Sequence, residues 1–178
     1  TIRCTSPKAE TDLIMGRLDL AVLLTHTLDH QVLEYIPLSQ GVQVLAVPAP
    51  IAAQYQQALD QRDFSALKDE YFMLTPAPSF SRTLEDSALD TMGIRPPVLC
   101  EIEDNLSRRQ LLNKNVGIGF LPDYAVTKED TFSVYTLGEA QSYYVVAAYR
   151  KSVVLSSSMK DMIKLLLETF EKVSRSKV

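Results

Sequence analysis

The sequence is poor in the residues that build reactive or cross-linked proteins. Its two cysteines, Cys4 and Cys100, are far apart and form no CxxC pair, so neither a disulfide framework nor a zinc site is indicated. Both sit inside apolar, strand-like runs and are expected to be buried thiols. Only two histidines are present, His26 and His30, which leaves a serine or cysteine nucleophile almost no choice of base. They are spaced i, i+4 in a polar connection with no carboxylate cluster beside them, so they are read as exposed loop side chains and no metal is expected. Positive charge is also in deficit, 18 Lys and Arg against 22 Asp and Glu, for a net charge of −4. Gripping DNA takes clustered Lys and Arg, so any DNA contact has to come from outside this segment. No apolar run is long enough to span a bilayer and no signal peptide leads the chain, which gives the cytoplasm as the expected address and no membrane partner. The chain starts on a strand-like segment without an initiator Met, and is therefore expected to be a piece of something longer.

What is present is an ordinary globular composition, 46% hydrophobic and 22% charged over 178 residues, enough for one good core or two small lobes. The stretch Gly16-Arg17-Leu18-Asp19-Leu20-Ala21-Val22-Leu23-Leu24 organises it. Lys8 to Met15 reads as a helix, Gly16 stands where a helix ends in positive φ, and Leu18 to Leu24 reads as a strand covered on both faces. Before it, Thr1 to Ser6 alternates like a strand, and Ser6 ahead of Pro7 is the expected N-cap. Beyond it, Val32 to Leu38 and Val42 to Val47 read as two strands joined through Ser39-Gln40-Gly41.

Pro48-Ala49-Pro50 is the first clear break, followed by a helical piece from Ile51 to Leu59. Tyr71 to Leu74 reads as a buried strand, and Thr75 to Arg82 as a loop entering a helix whose Phe80, Leu84, Ala88 and Met92 share a face until Gly93 ends it. A strand from Val98 to Ile102, a helix capped by Asp104 or Asn105, and a strand from Asn115 to Pro122 follow. The two glycines of that last strand are not a dinucleotide fingerprint, because no third glycine follows and Pro122 stops the run; they point to backbone packed against backbone. Phe132 to Leu137 and Tyr143 to Arg150 are further strands. The chain closes on a helix with a capping box at Ser158 and Asp161 and an apolar stripe of Met159, Met162, Ile163, Leu166, Leu167 and Phe170. Lys172, Arg175 and Lys177 favour its C-terminal end.

Two passages together carry a family resemblance. Gly16 to Val22 resembles the G-x-L-D-L-A-I signature of LysR-type transcriptional regulators, and Val116-Gly117-Ile118-Gly119-Phe120-Leu121-Pro122 resembles their G-x-G-I-A-x-L-P signature. Their order and separation fit, as do Leu33 to Val47 and the closing strand and helix. The departures are Asn113-Lys114-Asn115, where Ala or Ser is usual, and Phe120 in place of a smaller residue. The resemblance implies the effector-binding domain, an α/β, two-lobed, periplasmic-binding-protein-like (type 2) fold with mixed sheets flanked by helices. Lobe one would be residues 1–46 with 147–178 returning to it, and lobe two 47–146. The family's DNA-binding winged helix-turn-helix, its linker helix and the first strand and helix of the domain have no counterpart here. With that first strand missing, the strands Thr1 to Ser6 and Leu18 to Leu24 should lie roughly 10 Å apart, two inter-strand spacings.

On that reading the chain is no enzyme and carries no cofactor. It would sense a small molecule, work in a homodimer or tetramer, and reach DNA only through the absent N-terminal domain. An exported solute-binding protein on the same fold is the alternative, and an enzyme on that fold a more distant one. The expected effector residues are Thr5, Ser6, Thr25, Thr75, Ser79, Phe80, Arg82 and Tyr144, around a cleft between lobes. Ser6 and Ser79 open helices and Arg82 is a nearby cation, a combination that suits an organic anion. Ser6, Thr75 and Ser79 would donate from their hydroxyls, Arg82 would supply charge, and Phe80 and Tyr144 would form side walls.

Overall fold

The computed structural model describes residues 4–175. The chain divides into two compact units, one formed by residues 1–41 with 143–178, the other by residues 42–142.

Unit 1 begins with helix α1, Ser6–Ile14. Gly16 follows at φ 74°, and the amides of Arg17 and Leu18 return to the carbonyl of Asp12 at 2.8 and 3.1 Å. This left-handed turn ends the helix where the sequence placed its stop. The Asp12 carboxylate tightens the turn, taking hydrogen bonds from Lys8 at 2.9 Å and Arg17 at 2.8 Å, and these two cations hold it below the usual carboxylate range. Strand β1, Ala21–Thr25, pairs antiparallel with β7, Ser142–Arg150, in the register Leu23 to Val146. Leu23 is buried but Val22 is 46% exposed, so β1 alternates and is not covered on both faces as its apolar run suggested. Ala9, Leu13, Leu23, Leu33, Tyr35, Val146 and Ala148 form the core of this unit. The last helix, α6, is Ser157–Arg175. Its first turn is capped from Ser156, whose Oγ accepts from the amide of Met159 at 3.3 Å, not from Ser158. Of its apolar stripe Ile163 is buried and Met162 is half exposed.

Strand β2, Leu33–Val47, is one element of 15 residues, where the sequence suggested two strands and a turn. Gly41 lies inside it without positive φ, and the ladder on its second half carries the chain straight through. The expected strand over Thr1 to Ser6 falls for its first three residues outside the described residues, and so do the expected gap beside it and Lys177. Cys4 and Cys100 are half-buried free thiols.

Unit 2 carries the second half of β2 between two antiparallel neighbours, β5 (Ile118–Pro122) and β6 (Ser133–Thr136). Next to β5 come two parallel strands, β3 (Phe72–Leu74) and β4 (Val98–Glu101). Both faces of this mixed sheet are covered. Leu45, Val47, Phe72, Leu74, Ile118 and Phe120 point into one cluster, while Val44, Ala46, Met73 and Leu121 point into another. That two-sided burial is why these strands read as unbroken apolar runs. Short helices α2 (Ala49–Gln54) and α3 (Gln56–Asp60) follow β2. Two longer ones, α4 (Phe80–Met92) and α5 (Asn105–Asn113), connect the parallel strands.

Candidate functional site

The expected effector residues fall into two groups, one in each unit. In unit 1, Thr5 is the N-cap of α1, with no side-chain cap hydrogen bond. Its carbonyl takes the amide of Ala9 at 2.9 Å, which makes it the first helical acceptor and moves the cap one residue ahead of Ser6. Ser6 lies inside the first turn, and its Oγ accepts from the amide of Leu24 at 2.9 Å, tying α1 to β1. Thr25 is buried at the end of β1; its hydroxyl closes the following turn, donating to the carbonyl of Thr27 at 3.1 Å. Tyr144 sits opposite Thr25 in the β1–β7 register and packs half-buried on the core of unit 1. His30 is not a free loop side chain, since its Nδ1 accepts from the amides of Val32 and Leu33 at 3.1 and 3.0 Å and thereby shapes the entry to β2.

In unit 2, Ser79 is the N-cap of α4, its Oγ accepting from the amide of Arg82 at 3.2 Å. Phe80 is the first helical residue and half-buried. Arg82 is not an unengaged cation. It donates to Asp86 at 2.9 Å, to Glu101 at 2.9 Å and to the carbonyl of Thr75 at 3.0 Å. Two carboxylates therefore balance its charge, and they hold its guanidinium above the ordinary value against the opposing effect of burial. Thr75 corrects the expectation of a hydroxyl aimed at a ligand. It is buried, and its one hydroxyl proton goes to Oε1 of Glu85 at 2.6 Å.

That contact belongs to a cluster the sequence reading missed. Glu85 and Arg108 are both fully buried and paired at 2.8 Å. Glu85 takes the amide of Thr75 on its other oxygen at 2.6 Å. Arg108 donates to the carbonyl of Phe120 at 2.8 Å, to the Thr75 hydroxyl at 2.7 Å, and to the carbonyl of Ile102. Among the described residues its Nε has no partner. Burial pushes the Glu85 carboxyl above the usual range, and Arg108 and Thr75 oppose that shift. A signal for the pair existed: Glu85 stands one residue from Leu84 and three from Ala88, and Arg108 four from Leu112, so both occupy core-facing positions of their helices. The second glycine of β5 fits the same cluster, because a Cβ on Gly119 would lie 3.3 Å from Cδ of Arg108.

A second network ties α5 to the loop before β6. The Asp130 carboxylate accepts from Arg109 at 2.7 Å, from Asn113 at 2.7 Å and from the amide of Thr127 at 2.7 Å. Burial pushes its pKa up, but these hydrogen bonds outweigh that and hold it low. A depressed carboxylate stabilises the fold above its unfolded pKa and loses that contribution as pH falls through the folded value. Asp130→Asn is therefore expected to lower the urea midpoint at pH 7, with the deficit shrinking below about pH 4, where the unfolded carboxyl protonates. A deficit independent of pH would show that Asp130 acts only through packing. The open cavity beside this loop, of about 430 Å³, is lined by Val44, Asp123, Val126, Thr127, Lys128 and Val134, none of them among the expected effector residues.

Helices α1 and α4, each starting beside the end of a strand, and the mixed sheet of unit 2, covered on both faces, define an α/β protein. Residues 3–171 match the family model described as the LysR substrate binding domain. The chain belongs to that family, the effector-binding domains of LysR-type transcriptional regulators. Solved structures agree on the fold. The effector binding domain of QuiR in complex with shikimate superposes with a TM-score of 0.68 at 20% identity, over 95% of this chain and 79% of that one. The regulatory domain of CcmR from Synechocystis PCC6803 in complex with 2-PG gives 0.68 at 14% identity, over 93% and 80%. The C-terminal domain of a probable LysR family transcriptional regulator from Rhodococcus sp. RHA1 gives 0.68 at 21%, over 92% and 81%. No curated protein matches the chain. Among the described residues no helix is long and apolar enough to cross a membrane.

Proposed function

We propose that this effector-binding domain senses a small organic anion, and that the start of α4 with Ser79 and Phe80 is where unit 2 holds it. One observation carries the reading. The 13-residue helix α4 starts a short loop beyond the carboxyl end of β3 with Ser79 as its cap, so the positive end of its dipole stands where parallel strands of an α/β sheet place ligands. Such a terminus favours negative charge. The shikimate held by one structural relative is a carboxylate, which supports the same class. Arg82 acts on this site mainly by gripping the carbonyl of Thr75, and Phe80 supplies an apolar wall. Thr5, Ser6, Thr25 and Tyr144 are the corresponding candidates in unit 1. DNA binding and assembly into a dimer or tetramer belong on this reading to the regulator as a whole, which acts in the cytoplasm and performs no chemistry on its effector.

The test is calorimetric titration of shikimate and a panel of other small carboxylates against the wild type and Arg82→Ala. Saturable binding without turnover is expected for at least one acid, weakened by roughly tenfold in Arg82→Ala as a charge-assisted tie to the loop is lost. Equal affinity in the variant would remove Arg82 from the site. A panel without a binder would sink the anion reading, and Ser6→Ala and Tyr144→Phe put the unit 1 candidates to the same measurement.

A further inference from the structure

Glu85 and Arg108 have no place in the site as described, yet they are the most deeply buried charges in unit 2. Their partners have a common address. Thr75 follows the last residue of β3, Ile102 follows the last residue of β4, and Phe120 lies in β5. These three strands run parallel and side by side, and in open α/β sheets ligands bind outside the carboxyl ends of such strands. One guanidinium accordingly holds the end of β4 and the middle of β5 through their carbonyls, and one carboxylate holds the end of β3 through an amide. Thr75 is gripped on every polar atom. Its amide and hydroxyl go to Glu85, its hydroxyl oxygen also accepts from Arg108, and its carbonyl accepts from Arg82.

We infer that Glu85 and Arg108 are positioning residues that fix the loop Thr75-Pro76-Ala77-Pro78-Ser79, so that unit 2 presents the first turn of α4 already shaped for its ligand. This rests on the proposal that the start of α4 is a binding site. Stability alone is a poor account of the pair, because a hydrophobic pair of similar volume is often as stable or more so. What apolar side chains cannot do is bond one amide, one hydroxyl and two carbonyls at defined angles. The Nε of Arg108, without a partner among the described residues, fits this division of labour, since the side chain is aimed by its two terminal nitrogens. Gly119 keeps the path of that side chain open.

Amide hydrogen exchange on the full chain, free of ligand, tests the inference. Arg108→Met and the double variant Glu85→Leu/Arg108→Met are compared with the wild type. The amides of Thr75, Ala77 and Ser79 are expected to exchange roughly tenfold faster or more in both variants. The β2–β5 ladder, reported by Leu45 and Phe120, should keep its protection in the double variant, where no buried charge is left unpaired. Unchanged exchange from Thr75 to Ser79 would overturn the inference. A uniform loss of protection across unit 2 in the double variant would overturn it as well, by showing that the pair serves packing alone. If Arg108→Met does not fold, Glu85→Gln, which keeps the size and an acceptor oxygen but removes the charge, is read by the same criterion. No ligand enters this experiment. Its failure therefore leaves the anion proposal standing, and a carboxylate panel without a binder leaves the positioning role standing.

Discussion

Arg108→Ala is expected to destabilise the protein by about 3–5 kcal/mol, the range for stranding one partner of a buried ion pair. Glu85, with no exposed surface, would keep its charge without its cation, and the carbonyls of Ile102 and Phe120 would lose their donor. At about 2–4 °C per kcal/mol for a chain of this size, the melting temperature should fall by roughly 6–20 °C. The loss carries a pH signature. Burial already raises the Glu85 carboxyl and Arg108 opposes it, so removing Arg108 raises it further. A group whose folded pKa is raised favours the folded state most below its unfolded pKa, about 4.3 for Glu, and least above its folded one. The gap between wild type and Arg108→Ala should therefore narrow as pH falls towards that value. A gap that stays constant from neutral pH down to about 4 would mean that the unpaired charge is not the cause.

Phe120→Ala is the second large effect, about 3–5 kcal/mol by the loss of apolar contact and the cavity left behind. Phe120 is fully buried, its ring lies 6.1 Å from that of Phe72, and it sits in a cluster with Leu45, Leu74 and Ile118. Phe120→Leu keeps most of the volume and should cost well under half as much. Urea midpoints of the two variants check this, and equal midpoints would show that the neighbours close over the vacated ring.

Signals confined to a few residues were legible in the sequence. The glycine stops at Gly16 and Gly93, the caps at Ser79 and Asp104, and the apolar face of α4 all depend on neighbours within one or two turns. So was the family, because two short glycine-bearing motifs kept their order and spacing. The readings that failed depend on distant partners. Ser39-Gln40-Gly41 has the composition of a turn, but β5 and β6 pair with the residues that follow and the strand continues. Three serines run in a row where α6 begins; the capping box was expected at Ser158, and the tie between Ser156 and the amide of Met159 puts the cap two positions earlier. Thr75 looked like a ligand donor because nothing local shows that its hydroxyl proton goes to a carboxylate ten residues on. Charged residues are surface residues by default, and only the fold brings Glu85 and Arg108 together across 23 positions.

The buried pair also constrains how this domain can drift. A change at either charge alone strands the other, and a side chain at position 119 meets the aliphatic stem of Arg108. Positions 85, 108 and 119 are thus coupled: a lineage that loses the charges loses them as a pair, and a side chain at 119 requires the stem of Arg108 to give by a few tenths of an ångström while the pair is kept. Descendants of this chain should therefore divide into two populations, one keeping Glu and Arg at the first two positions and one with apolar residues at both, with few sequences between them.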